Sequence, residues 1–176
     1  MKKYVFALAA ALLLLSGCAS SVTSDIKVTT ETDPKTNFTG YKSFKWLGSA
    51  SIIYDPLGKW EPPQFDADAE IKFHISNELR NRGMVEDSVD PDLLVTFAAG
   101  IDMENMDLEV SDDSDLKSSL TNVPVGALSI VLVDAKTSVV IWIGIATAEI
   151  QQSPDQEVIK KRLEYAVTTM FKQLPR

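Results

Sequence analysis

The 176-residue chain has one cysteine, Cys18, and one histidine, His74. No second histidine exists to build a zinc site. There is no Gly-rich phosphate cradle and no Gly-x-Ser-x-Gly elbow. The apolar run Val5–Leu15 is too short to cross a bilayer, which takes roughly 20 residues. Positive charge is also scarce, with 17 Lys and Arg against 25 Asp and Glu and a formal net charge of −8. An acidic chain is repelled by nucleic acid and by anionic lipid surfaces, so nucleic-acid binding is discounted.

What the N-terminus does have is ordered. Lys2 and Lys3 precede the apolar run, and Leu15-Ser16-Gly17-Cys18 follows it. A positive start, a short apolar core and small residues at the end describe a secretory signal. Leu-Ser-Gly-Cys resembles the lipobox of bacterial lipoproteins. The resemblance implies cleavage between Gly17 and Cys18, a diacylglycerol on the Cys18 thiol and acylation of the new amino group. The plainer alternative is a secreted protein with a chance cysteine. Against it, the chain's only cysteine falls at the one position that lipidation requires. One acyl chain binds a membrane reversibly, whereas three would hold the protein for its lifetime. In Gram-negative lipoproteins an Asp after the cysteine favours inner-membrane retention; Ala19 and Ser20 stand here, which implies the outer membrane, facing the periplasm.

The expected organisation is a signal peptide over 1–17, a lipidated cysteine and short tether over 18–24, and a single domain over 25–176. Loss of the signal, with two lysines and no acids, takes the formal charge from −8 to −10. With Cys18 lipidated no thiol remains, which excludes disulfides, thiolate catalysis and cysteine metal sites. The domain must stand on its core alone.

Alternation of apolar and polar residues predicts strands over Asp25–Thr32 and Tyr41–Leu47. Residues 48–64, with Gly48, Pro56, Gly58, Pro62 and Pro63, are expected to form a long loop. Ala67, Ile71, Ile75 and Leu79 recur every four residues, and Gly83 follows Arg80 and Arg82, predicting a helix from Asp66 to Arg82. Leu93 to Met103 alternates as a third strand. The acidic stretch 105–123 is expected to be a loop. Gly126–Val133 and Val139–Ile150 form a hairpin across a five-residue loop. Ser153, Pro154 and Gln156 suggest a capping box opening a final helix. Its apolar stripe runs through Ile159, Leu163, Val167, Met170, Phe171 and Leu174. Two amphipathic helices and about five strands imply a two-layer α+β domain, with a largely antiparallel sheet and both helices on one face.

Several pieces together resemble the bacterial lipoprotein family built on domain of unknown function 4136. They are Asn37-Phe38-Thr39-Gly40-Tyr41-Lys42-Ser43-Phe44-Lys45-Trp46, Asp92-Leu93-Leu94-Val95-Thr96-Phe97, Gly126 through Asp134, Val140 through Ala146, and Ala166 through Phe171. The resemblance implies a lipid-anchored α+β domain with no assigned activity. The chain departs from the pattern at Ile143, where the family often carries Arg or another polar residue.

Candidate chemistry is thin. His74 has Asp68 and Glu78 nearby on the helix; the plainer reading is a surface histidine beside a carboxylate. Asp102, Glu104, Asp107, Glu109, Asp112, Asp113 and Asp115 could hold a divalent ion weakly. Calcium usually needs a glycine-assisted tight turn, however, and no glycine occurs between Ile101 and Val125. A solvated loop is the plainer reading. Tyr54 and Trp60 are the candidate binding residues, for peptidoglycan sugars or a protein partner, unless they fold back over the core. No catalytic residue, metal or cofactor is assigned.

The strand Val139–Ile150 is apolar on both faces. Gly144, Ala146 and Ala148 would let a helix approach closely, so the helices are expected on that face. The opposite face, with Ile141, Ile143 and Ile145, is either covered by the 48–64 loop or meets a partner or second copy. The expected function is a non-enzymatic outer-membrane binding or structural module, anchored in the membrane by its lipid. Its partners would be an envelope protein, peptidoglycan or another copy of itself. The alternative is a hydrolase or other enzyme acting on envelope material.

Overall fold

Apolar alternation becomes pairing among the residues described by the computed structural model, namely 22–104, 106–109, 119–122, 124–151 and 154–176. The signal segment, Gly17, Cys18, Asp112, Asp113, Asp115 and Ser153 lie outside these residues. The strands are β1 (Lys27–Thr32), β2 (Ser43–Tyr54), β3 (Val85–Glu86), β4 (Leu93–Asp102), β5 (Met106–Glu109), β6 (Ser119–Asn122), β7 (Val125–Asp134) and β8 (Val140–Glu149). The helices are α1 (Ala67–Asn81) and α2 (Gln156–Lys172).

Six strands form one sheet in the order β1-β8-β7-β4-β2-β3. The pairs β1–β8, β8–β7 and β7–β4 are antiparallel. Strand β2 runs parallel to both β4 and β3, and α1 supplies the crossover that parallel strands need. The sheet is therefore mixed, mostly antiparallel, and slightly larger than the five strands expected. The addition is β3, whose two residues are too few to show a pattern. Strands β5 and β6 pair with each other, so the stretch expected as loop contains a short hairpin.

The expected loop over 48–64 also needs correction, because its first seven residues belong to β2. Gly48 signalled a break, but it absorbs a bulge instead. The register against β4 shifts between Trp46 and Gly48, and Gly48 sits at φ 148°, where a side chain is strained. The Thr96 hydroxyl donates to the Gly48 carbonyl at 3.0 Å. Beyond the bulge, residues 49–54 are exposed, because β3 flanks β2 only at Ser43 and Phe44. A strand with so little to bury carries little alternation.

The stop of α1 is as expected, with Gly83 at φ 82° just past the end, and its start is capped by Asp66, whose carboxylate accepts from the Ala69 amide at 3.0 Å. The start of α2 is not as expected. Its cap is Asp155, which accepts from the Glu157 amide, so Pro154 precedes the helix rather than opening it. Asp caps as well as Ser does, and it stands nearer the apolar stripe. Gln156 turns its side chain to the Gln64 amide instead, at 2.9 Å.

One core joins the layers. Phe44, Leu93, Val95, Ile130, Leu132 and Trp142 meet Ile71, Ile75 and Leu79 of α1 and Val167, Met170 and Phe171 of α2. Both helices therefore lie on one sheet face. They are tied together where Thr168 donates to Glu78, and where Arg82 donates to the carbonyls of Phe171, Leu174 and Pro175.

At one sheet end a polar network gathers residues that carried the family resemblance. Tyr41 donates to Asp134 at 2.8 Å. Asp92 accepts from the amides of Lys42 and Ser43 and from the Ser43 hydroxyl. Amide donors hold both carboxyls below the ordinary range, from Lys42 first at Asp92 and from Thr137 first at Asp134. Burial and the Asp134 bond push the Tyr41 phenol up to about 12. These residues fasten chain crossings rather than form a reactive site.

Helix α2 closes on β8 at Gly144, as the small residues there predict. A Cβ on Gly144 would lie 2.5 Å from the Trp142 ring and 2.9 Å from the Met170 sulfur. Trp142 packs on Phe171 with centroids 5.4 Å apart, and its indole nitrogen has no partner among the described residues. Gly144→Ala should therefore destabilise the fold by about 1–3 kcal/mol, the usual cost of overpacking a filled core. Urea unfolding checks this, and an unchanged midpoint would contradict it.

Candidate functional site

Past Gly144 the same strip of β8 continues as Ala146 and Ala148, and there the space between sheet and helices is not filled. A cavity of about 720 Å³ opens, within the roughly 300–1,000 Å³ typical of small-molecule sites. Its floor includes Gly126, Leu128, Ala146 and Ala148. Its walls include Ile71 of α1 and Ile159, Leu163 and Ala166 of α2. The segment Trp60–Pro63 forms its lip. The charged side chains lining it are Lys59, Glu61, Glu149 and Arg162.

The lip is held by a local turn. Asp55 accepts from the amides of Lys59 and Trp60, at 3.0 and 2.7 Å, and Gly58 supplies the left-handed residue at φ 62°. These amides, Trp60 first, hold the Asp55 carboxyl below its ordinary range. In the sequence Pro56 and Gly58 marked only a long loop; that a turn there brings Trp60 to a cavity was not visible.

Tyr54 and Trp60 therefore part company. Trp60 lines the cavity, whereas Tyr54 ends β2 at 57% exposure and does not. The segment 59–64 lies on the helix side, so it does not cover the opposite sheet face. That removes the expectation that this loop shields Ile143 and Ile145. Ile145 is 40% exposed.

Arg162 went unnoticed in the sequence, being one cation on a polar helix face. It is the most connected side chain at the cavity. Its guanidinium meets both Asp25 carboxylate oxygens, at 2.7 and 2.6 Å, and donates to the carbonyls of Val22 and Glu149. Asp25 in turn accepts from the Glu149 amide at 3.0 Å. The N-terminal chain is thus fastened at the cavity edge, beside Ile26, which lines it.

His74 lies outside the cavity lining. Its Nε2 is 3.2 Å from Glu70, not beside Asp68 or Glu78. Asp68 pairs with Lys72 at 2.7 Å, and Glu78 accepts from Thr168. Asp102 is used locally, accepting from the Glu104 amide. Among the described residues no three His, Cys, Asp or Glu side chains converge as metal ligands, and no helix is long and apolar enough to cross a membrane.

The fold and cavity define a class: a two-layer α+β domain with an apolar space between its layers. The chain belongs to the family described as Domain of unknown function (DUF4136), which matches residues 28–176. A crystallised DUF4136 family protein from Bacteroides thetaiotaomicron superposes with a TM-score of 0.53 at 13% identity, covering 85% of this chain and 95% of that one. A PDZ domain protein from Parabacteroides distasonis superposes with a TM-score of 0.51 at 18% identity, over 86% of this chain. The chain spans 35% of that protein. At these identities the likeness shows the fold alone. No curated protein matches the chain.

The Arg162–Asp25 pair has a pH signature. Arg162 first, and amide donors after it, lower the Asp25 pKa from its ordinary 3.8. A depressed carboxyl contributes stability that is present above its unfolded pKa and is lost as pH falls through its folded value. Arg162→Ala should cost about 1.5–3 kcal/mol near neutral pH, the range for hydrogen bonds to charged groups. It should also shrink the loss of stability on acidification. Urea melts of both proteins near neutrality and below the ordinary carboxylate range check this. An equal acid sensitivity would contradict the role given to the pair.

Proposed function

We propose that this protein is an envelope lipoprotein, held by lipid on Cys18 at the periplasmic face of the outer membrane. Its domain binds an envelope component without transforming it. The observation that carries this reading is the apolar cavity. Its floor and walls are aliphatic, and its polar lining is confined to Ser51, glutamines and the charged side chains named above. General acid–base or nucleophilic chemistry needs a nucleophile, a base and an orienting group within hydrogen-bond reach of one another. The one histidine is not part of this lining. Hydrophobic lining with few polar groups suits retention of a ligand.

The anchor is supported by the position of the only cysteine and by the fastening of Val22 and Asp25 to Arg162. The fastening fixes where the lipidated end leaves the domain. Cys18→Ser should abolish incorporation of labelled palmitate and leave uncut precursor. Ala19→Asp should keep the lipid and move the protein to the inner-membrane fraction. Unchanged labelling in the first variant would contradict the anchor, and an unmoved second variant would contradict the outer-membrane assignment.

A further inference from the structure

We propose that the cavity receives a single acyl chain from a lipid of the membrane in which the protein is anchored. This rests on the anchored reading for where the lipid comes from.

The lining selects the chemistry. Trp60 at the lip is its only aromatic residue among the described residues. The interior is built from Ile, Leu and Ala side chains, which offer no hydrogen bonds. A sugar or a peptide entering there would lose its water partners and find few replacements. A flexible aliphatic chain loses nothing of that kind. The one buried side-chain polar atom without a partner among the described residues, the Trp142 indole nitrogen, belongs to a residue outside this lining. The cavity's apolar floor therefore makes no polar demand on a ligand.

Size and charge narrow it further. At roughly 30 Å³ for each water-sized group, a cavity of about 720 Å³ holds about two dozen such groups. That is room for one long chain and not for a bundle of three. Lys59, Glu61, Glu149 and Arg162 supply the charge, and the Arg162 guanidinium already has the Asp25 carboxylate and two carbonyls as partners. An amphiphile with one chain inside and its polar end near these groups matches this division.

Position supplies the source. Val22 is held at the cavity by Arg162, and Cys18 lies four residues upstream. Four extended residues reach at most roughly 14 Å. An anchor at Cys18 therefore keeps the cavity close to the lipid surface.

The test uses the lipid-anchored protein in its own membrane. A small diazirine-bearing amino acid replaces Leu163, which lines the cavity, or Tyr165, which is 42% exposed on the same helix and does not line it. After illumination, mass spectrometry identifies what is joined to each position. The proposal predicts an adduct with the mass of a phospholipid at position 163, in several-fold greater yield than at 165. It also predicts loss of that adduct when Ala148→Phe fills the floor. Equal yields at the two positions would overturn it. So would an adduct to the protein's own N-terminal lipopeptide, which would make the anchor itself the occupant. Should Ala148→Phe fail to fold, the comparison of 163 with 165 decides alone. The intact mass of the N-terminal peptide separates the two readings. A lipid-free Cys18 overturns the anchor, whereas a lipidated Cys18 without a phospholipid adduct overturns only the cavity assignment.

Discussion

The structure turns on how little bulk β8 presents to the helices. Gly144, Ala146 and Ala148 lie in line on the inner face, and the two ends of that line are used differently. At Gly144 the missing side chain is replaced by Trp142, which lies across it, and by Met170 from α2. Layer packing there is complete. Ala146 is covered, but toward Ala148 the missing bulk is not replaced and a cavity opens. One strand thus supplies both a close contact between the layers and the floor of the cavity beside it. The cavity opens to solvent past the Trp60 lip, so a ligand has a way in.

Two polar fastenings fix the chain, one at the sheet end away from the gap and one at its edge. At one sheet end Tyr41, Ser43, Asp92 and Asp134 cross-link the starts of β2 and β4 to the turn after β7. At the cavity edge Arg162 binds the N-terminal chain, the end of β8 and α2 together. Charge-assisted bonds in a fork geometry are strong and directional, so they fix position as well as add stability. The lip is set by the Asp55 turn in the same way. The cavity is therefore bounded by elements with their own reasons for staying in place.

Much of the architecture was legible because it follows from burial. Leu93, Val95 and Phe97 alternate, Ile71, Ile75 and Leu79 repeat every four, and both patterns are visible without coordinates. The strip at Gly144 also predicted the side on which the helices lie. What escaped was of another kind. The outer half of β2 buries little and so shows no alternation, and Gly48 looked like a break because a bulge and a turn use the same residue. Asp155 displaced Ser153 as cap because both are good caps and only geometry separates them. Of the candidate binding residues, Trp60 lines the cavity and Tyr54 does not, since the Asp55 turn between them sends the chain across the helix layer. The cavity itself could not be read from the sequence. Alanines on a strand are ordinary, and whether a facing side chain fills the space above them depends on distant residues.

The central claim is that the space above Ala146 and Ala148 is a preformed apolar site rather than a seam that collapses. Diffraction from crystals of the protein under xenon pressure tests it most directly, because xenon settles in dry apolar cavities. Xenon density over Ala146 and Ala148, between Ile71 and Leu163, is the predicted result. Helices closed onto the sheet, with no xenon between them, would contradict it.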